Sequence, residues 1–305
     1  MSLILRAVID CSYLFRGRLD TRQKIRVLVE YVRLTLMALF RQRGPRAGTT
    51  RVLGYSVRHC GIGSLQFLFR EVFVRGDYFL EVTHDRPLVF DCGANIGLST
   101  LFFKWLYPHS EIHAFEPDPD TFAILKENVD RNSLANVHLH NVALTTAAGQ
   151  LAFFVPTGSS GSPLASTVSS RCGPGSRRIV VEGVPLSSYI SGRDIDLLKM
   201  DVEGAEENIL REAAAAGALR NVGEIAVEYH HNLEAGISRF GSFLQLLQDS
   251  GYHYQVDATW KGGGSDGAFQ DIMVRARRAT RSQLVSTGVL QQPEAADEAL
   301  VAVRR

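Results

Sequence analysis

The chain has 305 residues, 45% hydrophobic and 21% charged, enough to bury a core in one large α/β domain with extensions or in two small domains. A net charge of +1 argues against a dedicated nucleic-acid binder, although residues 1–46 hold ten Lys/Arg and three Asp/Glu, about +7, offset by about −6 in the remainder. The lack of any run of about 20 uncharged apolar residues excludes a spanning helix.

Four cysteines (Cys11, Cys60, Cys92 and Cys172) lie far apart without a C-x-x-C pair. That spacing disfavours zinc and a disulfide framework and points to a reducing, cytoplasmic setting. The apolar start is interrupted by Arg6 and Asp10, which disfavours a signal peptide.

Residues 1–50 read as a basic amphipathic helical extension. Ile25, Leu28, Val29, Val32, Leu36, Leu39 and Phe40 recur at helical spacing, with Arg22, Arg26, Arg33, Arg41 and Arg43 around them. Gly44-Pro45 ends the pattern. Such a helix serves either to pack on the core or across a homodimer interface, or to lie peripherally on an anionic inner membrane surface. Residues 51–87 form a leader, with short runs at Arg51–Val57 and Leu65–Phe69, expected to pack over the start of a sheet.

From 88 to 279 strands and helices alternate. The strands expected are Leu88–Cys92, Glu111–Glu116, Val137–Asn141, Leu151–Val155, Leu197–Val202, Glu224–Tyr229, Tyr252–Asp257 and Asp271–Arg275, with helices near 97–107, 119–132, 204–217 and 238–250. That order predicts a mostly parallel sheet covered by helices on both faces, with ligands beyond the carboxyl ends of the strands. A Gly/Ser/Pro-rich stretch, Thr157 to Arg178, reads as a mobile loop near the site, and residues 280–305 as a flexible tail.

The stretch Val89-Phe-Asp-Cys-Gly-Ala-Asn-Ile-Gly97 is an apolar strand that ends in Asp91 and turns over Gly93 and Gly97 into a helix. Glu116, at the end of the next strand, stands where a carboxylate accepts hydrogen bonds from both hydroxyls of an adenosine ribose. The spacing G-x-x-x-G lacks the G-x-G-x-x-G that a pyrophosphate needs, which disfavours a nicotinamide dinucleotide. An acidic residue before the turn suits a ligand with a positive centre, as in S-adenosylmethionine. Asp91 would lie near the sulfonium and amino acid end, and Asn141, in Asn141-Val-Ala143, would meet the adenine edge. Cys92 reads as a wall residue.

Ile195-Asp-Leu-Leu-Lys-Met-Asp-Val-Glu-Gly-Ala-Glu206 sets Lys199 and Asp201 on one face of an otherwise apolar strand. A buried lysine requires a carboxylate partner. Asp201 and Glu203 read as functional, and Glu206 as a helix cap. Val227-Glu-Tyr-His-His-Asn232 gathers two histidines, and His230 or His231 suits general-base work near neutral pH. A divalent Mg²⁺ or Mn²⁺ held by Asp201, Glu228 and His230 is the less favoured alternative.

Together with Ala114-Phe-Glu-Pro-Asp-Pro119, Asn141-Val-Ala-Leu144 and Val227-Glu-Tyr-His230, these strings resemble the FkbM family of S-adenosylmethionine-dependent methyltransferases over about residues 70–275. The resemblance implies a Rossmann-like class I fold with a seven-stranded sheet. It also implies O-methylation of a hydroxyl on a sugar, glycolipid, polysaccharide or polyketide-type product. Tyr78, Asp91, Gly93, Asn95 and Glu116 would line the cofactor pocket, with Gly97 and Ala143 nearby. The proton acceptor is then His230, His231 or Asp201, with Lys199 setting the local charge. A catalytically inactive partner protein within a biosynthetic assembly is the alternative, against which the charged positions Asp201, Glu203, His230 and His231 speak.

Overall fold

The computed structural model describes residues 10–15, 17–40, 47–79, 81–82, 84–156, 175–231, 239–258 and 270–278. The Gly44-Pro45 helix stop, Cys172, Asn232, residues 157–174 of the expected loop and the 280–305 tail lie outside the described residues.

After a helical turn at residues 10–15, α1 (Thr21–Phe40) leads to a hairpin, β1 (Gly48–Val52) and β2 (Tyr55–His59). α2 (Ile62–Phe69) follows and runs directly into a π-helical turn, Arg70–Val74. β3 (Leu88–Cys92), α3 (Leu98–Leu106), β4 (Glu111–Phe115), α4 (Pro119–Arg131) and β5 (Val137–His140) then alternate, with α3 buried from Leu98 through Lys104. β6 (Ala143–Thr145), β7 (Gly149–Val155) and β8 (Arg177–Pro185) precede α5 (Ser187–Ile190) and β9 (Ile195–Met200). α6 (Glu206–Ala215), a 3₁₀ turn (Ala218–Asn221), β10 (Val222–His231), α7 (Phe240–Asp249), β11 (Tyr252–Asp257) and β12 (Gln270–Arg278) complete the described order.

Seven strands form one sheet in the order β11-β12-β10-β9-β3-β4-β5. Every pairing from β10 to β5 is parallel, and β12 alone runs against its neighbours. This is the mostly parallel sheet that the alternation predicts and the Rossmann-like architecture that the resemblance implies. Along β3 and β9 the side chains alternate between two cores, Val89 and Leu197 on one face, Phe90 and Leu198 on the other. The first core packs under α1, α2, α3 and α4, the second under α5, α6 and α7.

The chain order reverses between β3 and β9, so a crevice opens at their carboxyl ends. The hairpin is tied to α4, whose Asn128 and Asn132 side chains accept from the Arg58 and Ser56 amides at 2.6 and 2.8 Å. α2 and the π turn thereby stand over that crevice.

One strand falls elsewhere than expected. Leu151–Val155 lies within β7, which belongs to a separate three-stranded sheet, β6-β8-β7, and not to the main one. Its partner β8 begins inside the segment read as a loop. Pairing between segments distant in sequence, rather than local composition, makes that strand.

Candidate active site

The turn after β3 is closed by backbone bonds to both flanking strands. The Gly93 and Ala94 amides donate to the Phe115 carbonyl at 3.0 and 2.9 Å, and the Asp201 amide donates to the Cys92 carbonyl at 3.0 Å. Gly93 has φ +78°, and a Cβ there would meet the Asp201 carbonyl oxygen at 1.8 Å, so only glycine fits. Gly97, at φ +93°, starts α3 against Leu125.

Asn95 takes the left-handed conformation (φ +50°), and its amide donates to Glu116 Oε2 at 3.0 Å. The Asp118 amide donates to Glu116 Oε1 at 2.9 Å. Glu116 is 6% exposed, and burial pushes its carboxyl up to about 8 against the pull of those two amides. It lines a cavity with Phe115, Val142, Ala143, Leu144 and Phe153. The slot suits a flat apolar ring whose neighbouring hydroxyls reach the Glu116 carboxyl.

A second cavity shares Leu68, Gly93, Asn95, Asp201 and Glu203 with the first and continues to Phe67, Glu71, Tyr78, Lys199, Glu228 and Asp271. The strip from Gly93 to Glu203 therefore separates a ring-binding half from a strongly acidic half. Glu203 is itself left-handed, at φ +59°, and non-glycine residues in that region cluster where a site is held in shape.

Asp91 and Lys199 are register neighbours on β3 and β9. Lys199 Nζ lies 3.2 Å from Asp91 Oδ1, donates to the Gly93 carbonyl at 2.6 Å, and stands 4.0 Å from Asp201 Oδ2. This is the carboxylate pairing that a buried lysine requires. Burial opposes its charge, but Asp91 and Asp201 hold its pKa above the usual lysine value. Asp91 Oδ2 accepts from Ser99 and Thr100, each at 2.7 Å, and the residue is fully buried. It braces the turn and α3 from behind.

Asp201, 27% exposed at its side chain, faces both cavities. Burial raises its carboxyl to about 6, with Lys199 pulling the other way. Glu228 accepts from the Tyr78 hydroxyl at 3.2 Å, and burial together with Asp201 lifts its carboxyl well above the ordinary range.

The two histidines separate. β10 runs on to His231, two residues past its expected end, so adjacent residues point to opposite faces. His231 sits beside Phe240, with ring centroids 5.8 Å apart, its Nδ1 buried without a hydrogen bond and burial lowering its pKa. It is not brought to the acidic cavity, which corrects its candidacy as a base.

His230 is buried among carboxylates. Its Nδ1 is 2.7 Å from Glu206 Oε1, and its Nε2 is 3.2, 3.8 and 3.9 Å from Glu203, Asp201 and Asp271. Burial works against the charge, yet Glu206 and Glu203 hold the imidazole well above the usual histidine value. The surrounding carboxylates favour the imidazolium, the form in which His230 serves as an internal counter-ion. Glu206 also accepts from the Gly204 amide at 2.8 Å, so it holds the turn before α6 and fixes His230, whereas the N-cap of α6, Ala205, has no side-chain cap.

Asn141 spends its amide on the Glu116 and Pro117 carbonyls, at 2.8 and 3.1 Å. It shapes the turn that carries Glu116, next to the slot lined by Val142, Ala143 and Leu144. Asp201, Glu228 and His230 do not converge as a single metal-binding trio. Two triads share His230 instead: Asp201, Glu203 and His230, and Glu228, His230 and Asp271. Phe153, Asp271, Glu71 and Phe67 are wall residues that the sequence reading missed, and only the apolar alternation of 151–155 signalled the first.

The family described as Methyltransferase FkbM domain matches residues 91–254. The 31-O-demethyl-FK506 methyltransferase FkbM of Streptomyces tacrolimicus is 30% identical over 229 residues, covering 65% of this chain and 86% of that protein. Hexuronic acid methyltransferase AglP of Haloferax volcanii is 27% identical over 197 residues, 60% of this chain and 74% of that protein. Methyltransferase 1 of Beauveria bassiana is 29% identical over 170 residues, 48% of this chain, and the match spans 66% of that protein's length.

Proposed function

The chain belongs to the FkbM methyltransferase domain family, and on that footing we propose that it methylates a hydroxyl of a sugar, glycolipid, polysaccharide or polyketide-type acceptor, with Asp201 taking the proton. One relative is named for a 31-O-demethyl-FK506 acceptor and another for a hexuronic acid, which supports that acceptor range.

S-adenosylmethionine fits the residues present. The apolar slot of Phe115, Val142, Leu144 and Phe153 suits its purine, and Glu116 suits the ribose hydroxyls. Gly93 leaves the backbone bare where any Cβ would collide, and the acidic half favours a sulfonium over a neutral thioether. When bound, the cofactor supplies a methyl group on a positively charged sulfur.

The observation that carries the proton-acceptor assignment is the position of Asp201. It faces both cavities, is partly exposed, and has a carboxyl held near 6. An alcohol is a poor nucleophile while protonated, and a carboxylate with that pKa is ionised at neutral pH yet basic enough to accept the proton. Lys199, locked by Asp91 and the Gly93 carbonyl, keeps Asp201 from rising further. Burial and Asp201 raise the Glu228 carboxyl well above its usual value, which favours its protonated form in the same cavity. Holding the acceptor oxygen in line with the methyl group supplies much of the remaining acceleration.

Calorimetry with S-adenosylmethionine and its demethylated product, and with NAD as control, tests the reading. Micromolar binding of both adenosyl ligands, abolished by Glu116→Ala, is the expected result. Binding of NAD alone, or of none of the three, would overturn it.

A further inference from the structure

α1 is apolar on two sides. Val27, Tyr31 and Leu34 are buried against the core, as its spacing requires. Ile25, Val29, Val32, Leu36 and Phe40 follow a second helical stripe and stay exposed, at 56, 62, 48, 48 and 85%. The helix is firmly seated. The Tyr31 hydroxyl donates to buried Asp10, and Arg70, from the π turn, pairs with the same carboxylate at 2.7 Å. The outer stripe is thus a fixed surface feature.

Charge selects its occupant. By helical spacing Arg22, Arg26 and Arg33 run along one border of the stripe, with Arg33 paired to Glu30 and Arg26 held over the Trp105 ring, and residues 22–46 contain seven Lys/Arg with Glu30 as their one acid. Two copies of the chain packed antiparallel through this face would bring those basic borders together. An anionic lipid surface instead takes the apolar stripe among its acyl chains and the arginines at its headgroups.

The stripe also lies close to the acidic cavity. Gln66 of α2 donates to Thr35 of α1 at 3.3 Å, and Phe67, the next residue, is 45% exposed and lines that cavity. We propose that the outer face of α1 docks on an anionic phospholipid surface and presents the cavity mouth at Phe67 to acceptors carried in the bilayer. The docking stands by itself; the clause on acceptors rests on the methyltransferase reading above.

The test is co-sedimentation of the full chain with vesicles of phosphatidylcholine alone and of phosphatidylcholine with about 30% phosphatidylglycerol, alongside light scattering and S-adenosylmethionine calorimetry. Expected are a monomer and binding about tenfold stronger to the anionic vesicles, weakened by salt. Val29→Glu with Leu36→Glu should abolish vesicle binding while leaving the melting temperature and cofactor affinity unchanged. Arg22→Glu, on an exposed residue, should reduce only the anionic preference and so covers any folding defect of the double variant. Failure to sediment with either vesicle, or equal binding to both, overturns the proposal. A dimer that the double variant splits would assign the stripe to self-association. The cofactor titration distinguishes a failed docking surface from a failed methyltransferase assignment.

Discussion

Glu206 Oε1 stands 2.7 Å from His230 Nδ1, and both side chains are almost wholly buried. The carboxylate is pulled below its ordinary pKa by the imidazole, and the imidazole is held well above its own. Glu203 still lies 3.2 Å from His230 Nε2 when Glu206 is removed, so what is lost is one buried charge-assisted hydrogen bond, about 1.5–3 kcal/mol. Glu206→Gln is therefore expected to lower stability by that order in urea unfolding. A second change, His230→Gln, should recover part of the loss. An unchanged unfolding midpoint in the single variant would remove the counter-ion role.

Asp201→Asn preserves shape and deletes the proton acceptor. The expected loss in kcat is about 10²- to 10⁴-fold, with the dissociation constant of S-adenosylmethionine nearly unchanged. In the unmodified enzyme kcat should rise with pH through about 6, since Asp201 works only when ionised. His230→Asn removes a charge that lowers the Asp201 pKa, so the limb should move to higher pH and persist. If the limb instead disappears in the histidine variant, the base has been misassigned.

The ligand-free protein should lose stability as pH rises from about 6.5 to 8, above the range in which His113, His140 and His231, lowered by burial, act in the opposite direction. Glu116 carries a folded pKa of about 8 against an ordinary 4.5, and Asp201 about 6 against 3.8. His230 is also raised. In all three the folded state binds protons that the unfolded chain has released, so stability falls through the window between the unfolded and folded values. Thermal melts at half-unit steps would measure the slope. Glu116→Gln should flatten it over that range, and a melting temperature that climbs with pH there would contradict the assignment.

The central strands were legible in the sequence because each is a short apolar run bounded by Gly, Pro or Asp. The pairing of Lys199 followed from the cost of burying an ammonium, and the register of β3 on β9 makes Asp91 the partner. The histidines were not separable. Which of His230 and His231 faces the cavity depends on where β10 ends, and the apolar pattern stops at Tyr229 while the ladder with β12 continues to His231. Phe153 was hidden for a related reason, because β7 pairs with a strand beyond the Gly/Ser/Pro-rich segment. The π turn has no residue signature at all, yet it brings Glu71 and Val72 to the cavity wall.

Metal dependence follows from the state of His230 Nε2. Either triad that could hold a divalent ion needs that nitrogen unprotonated, whereas in the absence of an ion Glu206 and Glu203 favour the imidazolium, so an ion would have to displace that proton. Methyl transfer is expected to survive dialysis against EDTA within about twofold, a change too small for loss of an ion that supplies several kcal/mol at the reacting oxygen. Calorimetric titration of Mg²⁺ or Mn²⁺ should show no heat at pH 6 to 7. Activity abolished by EDTA and restored by either ion would mean that the metal displaces the His230 proton, and that Asp201 serves as a ligand in place of a base.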